Sequence, residues 1–101
     1  MRMIMQVKLP LEPFNTLVRN GSAQAVMQRV LADLKPEAAY FTAINGHRGG
    51  FLVVDMNDPA EIPRLAEPWF LNFNAQVDFH PAMTPEDLGR ADLESLGKKW
   101  S

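Results

Sequence analysis

Four short apolar-rich stretches of the chain predict β-strands. In the first and the last of them the apolar residues occupy every second position, so that one face of each strand is apolar. A period of two is typical of a strand with one buried face. The predicted strands are residues 2–9, 38–45, 50–56 and 74–80.

Three other stretches have apolar residues at steps of three and four, which predicts helices. The first covers residues 23–35, with Ser22 as its cap and Pro36 after its end. The second follows Asp58, and Pro68 is expected to kink or end it. A final single helix begins at Thr84 and continues to the end of the sequence.

Glycine and proline divide these elements. Residues 11–21, LEPFNTLVRNG, are predicted to be irregular, and NGHRGG at 45–50 is predicted to be a hairpin loop. The Asn45-Gly46 and Gly49-Gly50 pairs would supply the positive φ angles that such a loop needs.

The predicted order is βαββαβ with an added C-terminal helix, an α+β fold. Right-handed connections arrange such a chain as a ferredoxin-like four-stranded antiparallel sheet with two helices on one face. The other face would carry a mixture of side chains that is too apolar for a fully solvated surface and too polar for a dry core. Its predicted residues are Ile4, Gln6, Lys8, Tyr40, Thr42, Phe51, Val53, Asp55, Gln76, Asp78 and His80. We therefore expect a second copy of the chain to pack on this face.

Composition narrows the possible partners. The 101 residues, 47% of them apolar, are expected to form one domain, residues 1–101. The net charge of −2 without a basic stripe argues against nucleic acid and against an anionic membrane surface. The chain has no cysteine, which fits a reducing cytoplasm, and no apolar run is long enough to span a bilayer.

Three segments in this order resemble the dimeric α+β barrel superfamily, in particular small proteins similar to muconolactone isomerase. The segments are MQVKLP, FLVVDMNDPAEIPRLAEPWF and QVDFHPAMTPEDL. The resemblance implies a homodimer or a larger ring, with a pocket between the sheets or between sheet and helices. It also implies chemistry that often needs no metal.

His80 and Asp78 are the candidate catalytic residues. His80 titrates nearest neutral pH and is suited to general acid/base chemistry, with Asp78 as a neighbour. Their Cβ atoms would lie roughly 6.5–7 Å apart on one face of a strand, which suits a shared ligand better than a direct hydrogen bond. The alternative is that both line a hydrated dimer interface.

Six other residues are candidates for ligand binding: Gln6, Lys8, Tyr40, Asp55, Arg19 and Trp69. Lys8 or Arg19 would orient a carboxylate, although Lys8 beside Asp55 or Asp78 is also typical of a cross-strand ion pair. Arg19 lies in the longest irregular stretch, where a lid would be expected. Trp69 would form the floor of a pocket or, as its helical spacing more simply indicates, belong to the core.

Metal and cofactor sites have little support in the sequence. Its two histidines, His47 and His80, fall on a predicted loop and a predicted strand and form no recognisable ligand set. His47 and Arg48 between glycines would meet an anion or simply form a solvated turn.

Three functions fit these observations. The first is a cofactor-independent isomerase or lyase that acts on a small acidic or carbonyl compound. The second is a non-catalytic module that binds such a compound, and the third is a structural homo-oligomer.

Overall fold

The protein contains one four-stranded antiparallel sheet, as seen in a computed structural model that describes residues 1–101. Across the sheet the strands lie in the order β2-β3-β1-β4, so that β1 is central and β2 and β4 are the edges. Every neighbouring pair is antiparallel. The strands are β1 (Arg2–Leu9), β2 (Ala38–Ile44), β3 (His47–Asp55) and β4 (Gln76–Pro81).

Five α-helices accompany the sheet, and a short 3-10 turn, Pro59–Glu61, leads into the third of them. The first three lie in the connections between strands, and the last two follow β4. The helices are α1 (Phe14–Arg19), α2 (Ala23–Leu34), α3 (Ile62–Phe73), α4 (Pro85–Arg90) and α5 (Leu93–Lys99). The predicted α+β class is confirmed.

The core lies between one face of the sheet and the helices α2 and α3. Strand β1 contributes every second residue to it, as the period-two pattern predicts. From α3, Leu65, Trp69 and Phe73 recur at a spacing of four residues, which places them on one side of the helix. The strand residues of this core are Met3, Met5, Val7, Leu9, Leu52 and Val54.

The predicted six-residue hairpin loop is wrong. Strands β2 and β3 are joined by a two-residue turn, Asn45-Gly46, with φ angles of 51° and 76°. Because both turn residues have a positive φ, the twist of the turn matches the twist of the strands that it joins. Gly49 and Gly50 have no positive φ and belong to β3, which begins at His47 rather than at residue 50.

Three helix predictions also need correction. The stretch 11–21 contains α1, whose Phe14 packs on Phe73 with ring centroids 5.6 Å apart. Pro68 does not end α3, which continues to Phe73. The final helix is interrupted, since Asp92 has a φ of 53° and starts α5 with its side chain as the cap.

Glu61 stabilises the turn before α3. Its carboxylate accepts hydrogen bonds from the backbone N–H groups of Asn57 (2.8 Å) and Asp58 (3.1 Å), and from Arg64 (3.0 Å). These bonds, the one from Asn57 first, hold the pKa of Glu61 below its usual range.

The substitution Glu61→Gln is therefore expected to lower the free energy of unfolding at pH 7. The contribution of the carboxylate is complete above its unfolded-state pKa of about 4.3 and is lost as the pH falls through the lower folded-state pKa. Urea unfolding of both proteins between pH 7 and pH 3 should show the difference shrinking toward acid pH. Glu67→Gln, in α3 and without an intramolecular partner, is the control, and an equal pH dependence in both variants would contradict this role.

Candidate functional site

One face of the sheet is left uncovered by the chain's own helices, and we call it the open face. Strand register places Ile4 beside Val53 and His80, and it places Gln6 beside Phe51 and Asp78. The predicted membership of this face is confirmed, because side chains alternate along each strand and these positions lie opposite the core.

The half of the open face nearest β2 is apolar and aromatic. Tyr40 on the edge strand is 73% exposed, and Phe51 beside it on β3 is also exposed. Ile4 and Val53 continue this area toward the centre of the sheet and are half-buried. Aromatic side chains grouped in this way are typical of a surface that another molecule covers.

The half nearest β4 is polar, and its side chains have no partners within the chain. Gln6, Lys8, Asp78 and His80 make no side-chain hydrogen bond, and neither Lys8 nor Asp78 forms an ion pair. The alternative of an ion pair between Lys8 and Asp55 or Asp78 is therefore wrong. Asp55 lies at the far end of the sheet, where it accepts a hydrogen bond from the amino group of Met1 at 2.9 Å.

Lys8 lines a polar hollow of about 160 Å³ at one end of the open face. Its other walls come from β3, from β4 and from the residue that follows α3. The lining residues are Lys8, Pro10, His47, Asn74 and Gln76. One ammonium group and two carboxamides can together donate hydrogen bonds to a carboxylate. The Nδ1–H of His47 already donates to the carbonyl oxygen of Asn45 at 3.0 Å, so its Nε2 donates to a ligand only when the ring is protonated.

Sequence reasoning missed the grouping of His47, Asn74 and Gln76 around Lys8. The signal for His47 was the Asn45-Gly46 pair: a two-residue turn after Ile44 makes His47 the first residue of β3. Asn74 is placed by a φ of 53° at the end of α3, a conformation that asparagine adopts more easily than most residues.

The structure does not bring Lys8 and His80 together. Lys8 pairs with Gln76, whereas His80 pairs with Ile4. Four positions of β1 separate the two sites, which is about 13 Å along the strand. A ligand held by both residues would need to span most of that length.

Tyr40 also lies apart from the hollow, since it is on the edge strand opposite β4. Arg19 is in α1, which packs with α2 and α3 on the covered face, and its guanidinium lies 3.7 Å from Glu12. A hydrogen bond from the Thr16 hydroxyl lowers the pKa of Glu12. Neither Arg19 nor Glu12 is near the open face.

Trp69 lies in the core, the alternative that its spacing allowed. Its indole is fully buried, 5.8 Å from the ring of Phe73 between centroids, and its Nε1–H has no hydrogen-bond partner. The side chain therefore supports the sheet from the covered face and does not reach the polar hollow.

A second, apolar cleft of about 580 Å³ opens on the covered side of the β2–β3 hairpin. Leu9, Phe14, Met27 and Phe41 supply its apolar walls. Arg48 lies at this cleft, 5.0 Å above the ring of Phe14, and donates a hydrogen bond of 2.7 Å to Asn15. His47 and Arg48 both line this cleft. They belong to β3, so their predicted place in an exposed hairpin loop is wrong.

No three His, Asp or Glu side chains come together in an arrangement that would hold a metal ion. None of the helices combines the length and the apolar composition that a bilayer crossing requires.

Comparison with curated proteins finds no match to this chain. A family model described as "Domain of unknown function (DUF3303)" matches residues 16–95. The match begins in α1 and ends in α5, so it includes β2, β3 and β4 and leaves β1, with Gln6 and Lys8, outside. Because the matched region covers most of the sequence, the chain belongs to the DUF3303 family.

Proposed function

We propose that this protein is a homodimeric α+β barrel that binds a small acidic compound between the open faces of two subunits. The order of elements and the strand order β2-β3-β1-β4 support a ferredoxin-like topology. The exposed aromatic half of the open face supports pairing of two sheets, as in proteins similar to muconolactone isomerase.

The unpaired ammonium group of Lys8 carries the binding proposal. Lys8 is half-buried, yet no carboxylate of the chain lies within ion-pair distance. A partly desolvated positive charge is more stable with an anion beside it. His47, Asn74 and Gln76 surround the place where that anion would lie.

Binding has better support than proton transfer. The distance of about 13 Å along β1 between the positions of Lys8 and His80 separates the anion site from the candidate acid/base. An isomerase or lyase reaction with His80 as acid/base and Asp78 as its neighbour therefore requires a ligand long enough to reach from Lys8 to His80. Such a reaction remains a prediction.

Replacing Lys8 with glutamine is expected to weaken carboxylate binding. A hydrogen bond to a charged group contributes about 1.5–3 kcal/mol, which corresponds to roughly a 10- to 100-fold increase in Kd. The probes are succinate and benzoate, titrated into ¹⁵N-labelled protein, with amide shifts followed in β1, β3 and β4.

Arg29→Gln is the matched control, because it removes a positive charge from an exposed position of α2 on the other side of the molecule. We expect it to leave Kd unchanged. Equal weakening in both variants would indicate a general charge effect, and the absence of shifts around Lys8 in the unsubstituted protein with either probe would refute the site.

A further inference from the structure

The residues after β4 form an extension that leaves the rest of the molecule, and we call residues 82–101 the C-terminal arm. Its base is held by one backbone hydrogen bond, from Ala82 N–H to the carbonyl of Arg2. Beyond this, α4 and α5 make at most slight contact with the other helices and strands. The arm nevertheless carries large apolar side chains, all of them exposed: Met83, Leu88, Leu93, Leu96 and Trp100.

The apolar residues at the end of the arm lie together on one side of it. Leu93 and Leu96 of α5 and Trp100 at its C-cap follow at steps of three and four residues, so they share one side of the helix. Trp100 is 78% exposed. Helices of six and seven residues are too short to persist alone in water, where about 12–15 residues are needed even for marginal stability. The arm therefore requires a surface that covers it.

The molecule exposes more surface than a compact protein of the same size. The radius of gyration is 17.1 Å, against about 13 Å for a compact chain of this length. The accessible surface is 6944 Å², whereas a compact protein of 11.4 kDa exposes about 5800 Å². The excess of roughly 1200 Å² is larger than the area of about 800 Å² that each partner buries in a standard interface.

The strand order indicates which surface of a second copy the arm meets. The arm leaves from β4 at one edge of the sheet, and Tyr40 lies on β2 at the other edge. If two sheets pack face to face about a two-fold axis parallel to their strands, the β4 edge of each copy lies against the β2 edge of the other. The base of each arm then lies beside the aromatic half of the partner's open face.

We infer that the C-terminal arm of each subunit crosses to a second copy of the chain, where Leu93, Leu96 and Trp100 cover Tyr40 and Phe51. The inference rests on the proposed pairing of open faces. Each arm leaves from the Pro81 end of β4, and the polar hollow lies at the Gln76 end, so the arm does not cover the hollow in this arrangement. An apolar helix side meets an apolar sheet edge in this arrangement.

Cysteine cross-linking tests the contact, because the chain has no cysteine of its own. One preparation carries Leu96→Cys and a second, of distinguishable mass, carries Tyr40→Cys. After mixing and subunit exchange, a short bismaleimide should join the two. We expect linkage at least about tenfold faster than with Leu71→Cys in place of Leu96→Cys, because docking raises the effective concentration of the pair. Leu71 is the control because it is 80% exposed on α3.

Native mass spectrometry of the unsubstituted protein distinguishes arm exchange from pairing of the open faces. Rapid mixed linkage in a dimer supports arm exchange. A dimer in which Leu96→Cys links no faster than Leu71→Cys overturns arm exchange and leaves the proposed pairing of open faces intact. A protein that stays monomeric at micromolar concentration and shows no mixed linkage overturns both.

Discussion

Replacing Trp69 with alanine is expected to lower the free energy of unfolding by about 3–5 kcal/mol, the usual range for a buried aromatic residue. The indole is fully buried between α3 and the sheet and packs on Phe73. Its removal leaves a cavity that β1 and α3 cannot close without losing their register. Since a domain of this size is stabilised by only about 5–15 kcal/mol, much of the variant should be unfolded near 37 °C.

Urea unfolding at 15 °C, followed by far-ultraviolet circular dichroism, would measure this loss. Leu71→Ala is the matched control, since Leu71 is in the same helix and is largely exposed. Its expected effect is within about 0.5 kcal/mol. A similar loss in both variants would refute the central position of Trp69 in the core.

Trp69→Phe refines the same prediction. Phenylalanine removes less volume than alanine does, and it also removes the indole N–H that has no partner in the fold. An unsatisfied buried donor costs about 1–3 kcal/mol, so this gain offsets part of the lost packing. We expect Trp69→Phe to retain more than half of the stability that Trp69→Ala loses.

Gly49→Ala is the second substitution with a large expected effect. A Cβ atom at this position would lie 2.5 Å from the carbonyl oxygen of Val7 and 2.7 Å from Cδ1 of Ile44. The carbonyl belongs to the central strand and cannot withdraw without disturbing the ladder between β1 and β3. Overpacking of this kind costs about 1–3 kcal/mol, and we expect a loss of that size in thermal and urea unfolding.

Gly89→Ala in α4 is the control for this change, because a Cβ atom there would meet nothing within 4 Å. Alanine is the better helix former, so Gly89→Ala should be neutral or slightly stabilising. If Gly49→Ala proved equally harmless, close approach of the strands would not be the reason for glycine at this position.

Gly49 and Gly50 are residues whose role the sequence alone does not determine. A glycine pair is compatible both with a turn and with a close approach between strands, and local composition does not distinguish the two. In the fold, the turn needs only Asn45 and Gly46, and the second pair lies inside β3 against neighbouring backbone. The distances that explain these glycines involve Val7, which is distant in sequence, and Tyr40, which lies on the paired strand of the same hairpin.

The candidate site shows a similar division. Alternation along the strands was sufficient to place Lys8, Asp78 and His80 on one face, because side-chain direction in a strand repeats every two residues. It was insufficient to show which of them are neighbours. That depends on register, which pairs Lys8 with Gln76 and His80 with Ile4.

The fold class follows from the sequence, because hydrophobic periodicity, caps and prolines act within a few residues of one another. The same local patterns identify the apolar residues of β1 and α3 as core, and they predict an open face that is half apolar and half polar. The hollow around Lys8, the close packing at Gly49 and the projection of the C-terminal arm depend on the tertiary structure. The hollow and the close packing are produced by pairing between segments far apart in the chain, and the arm projects because its helices pack on none of them. No local pattern encodes the distances between such segments.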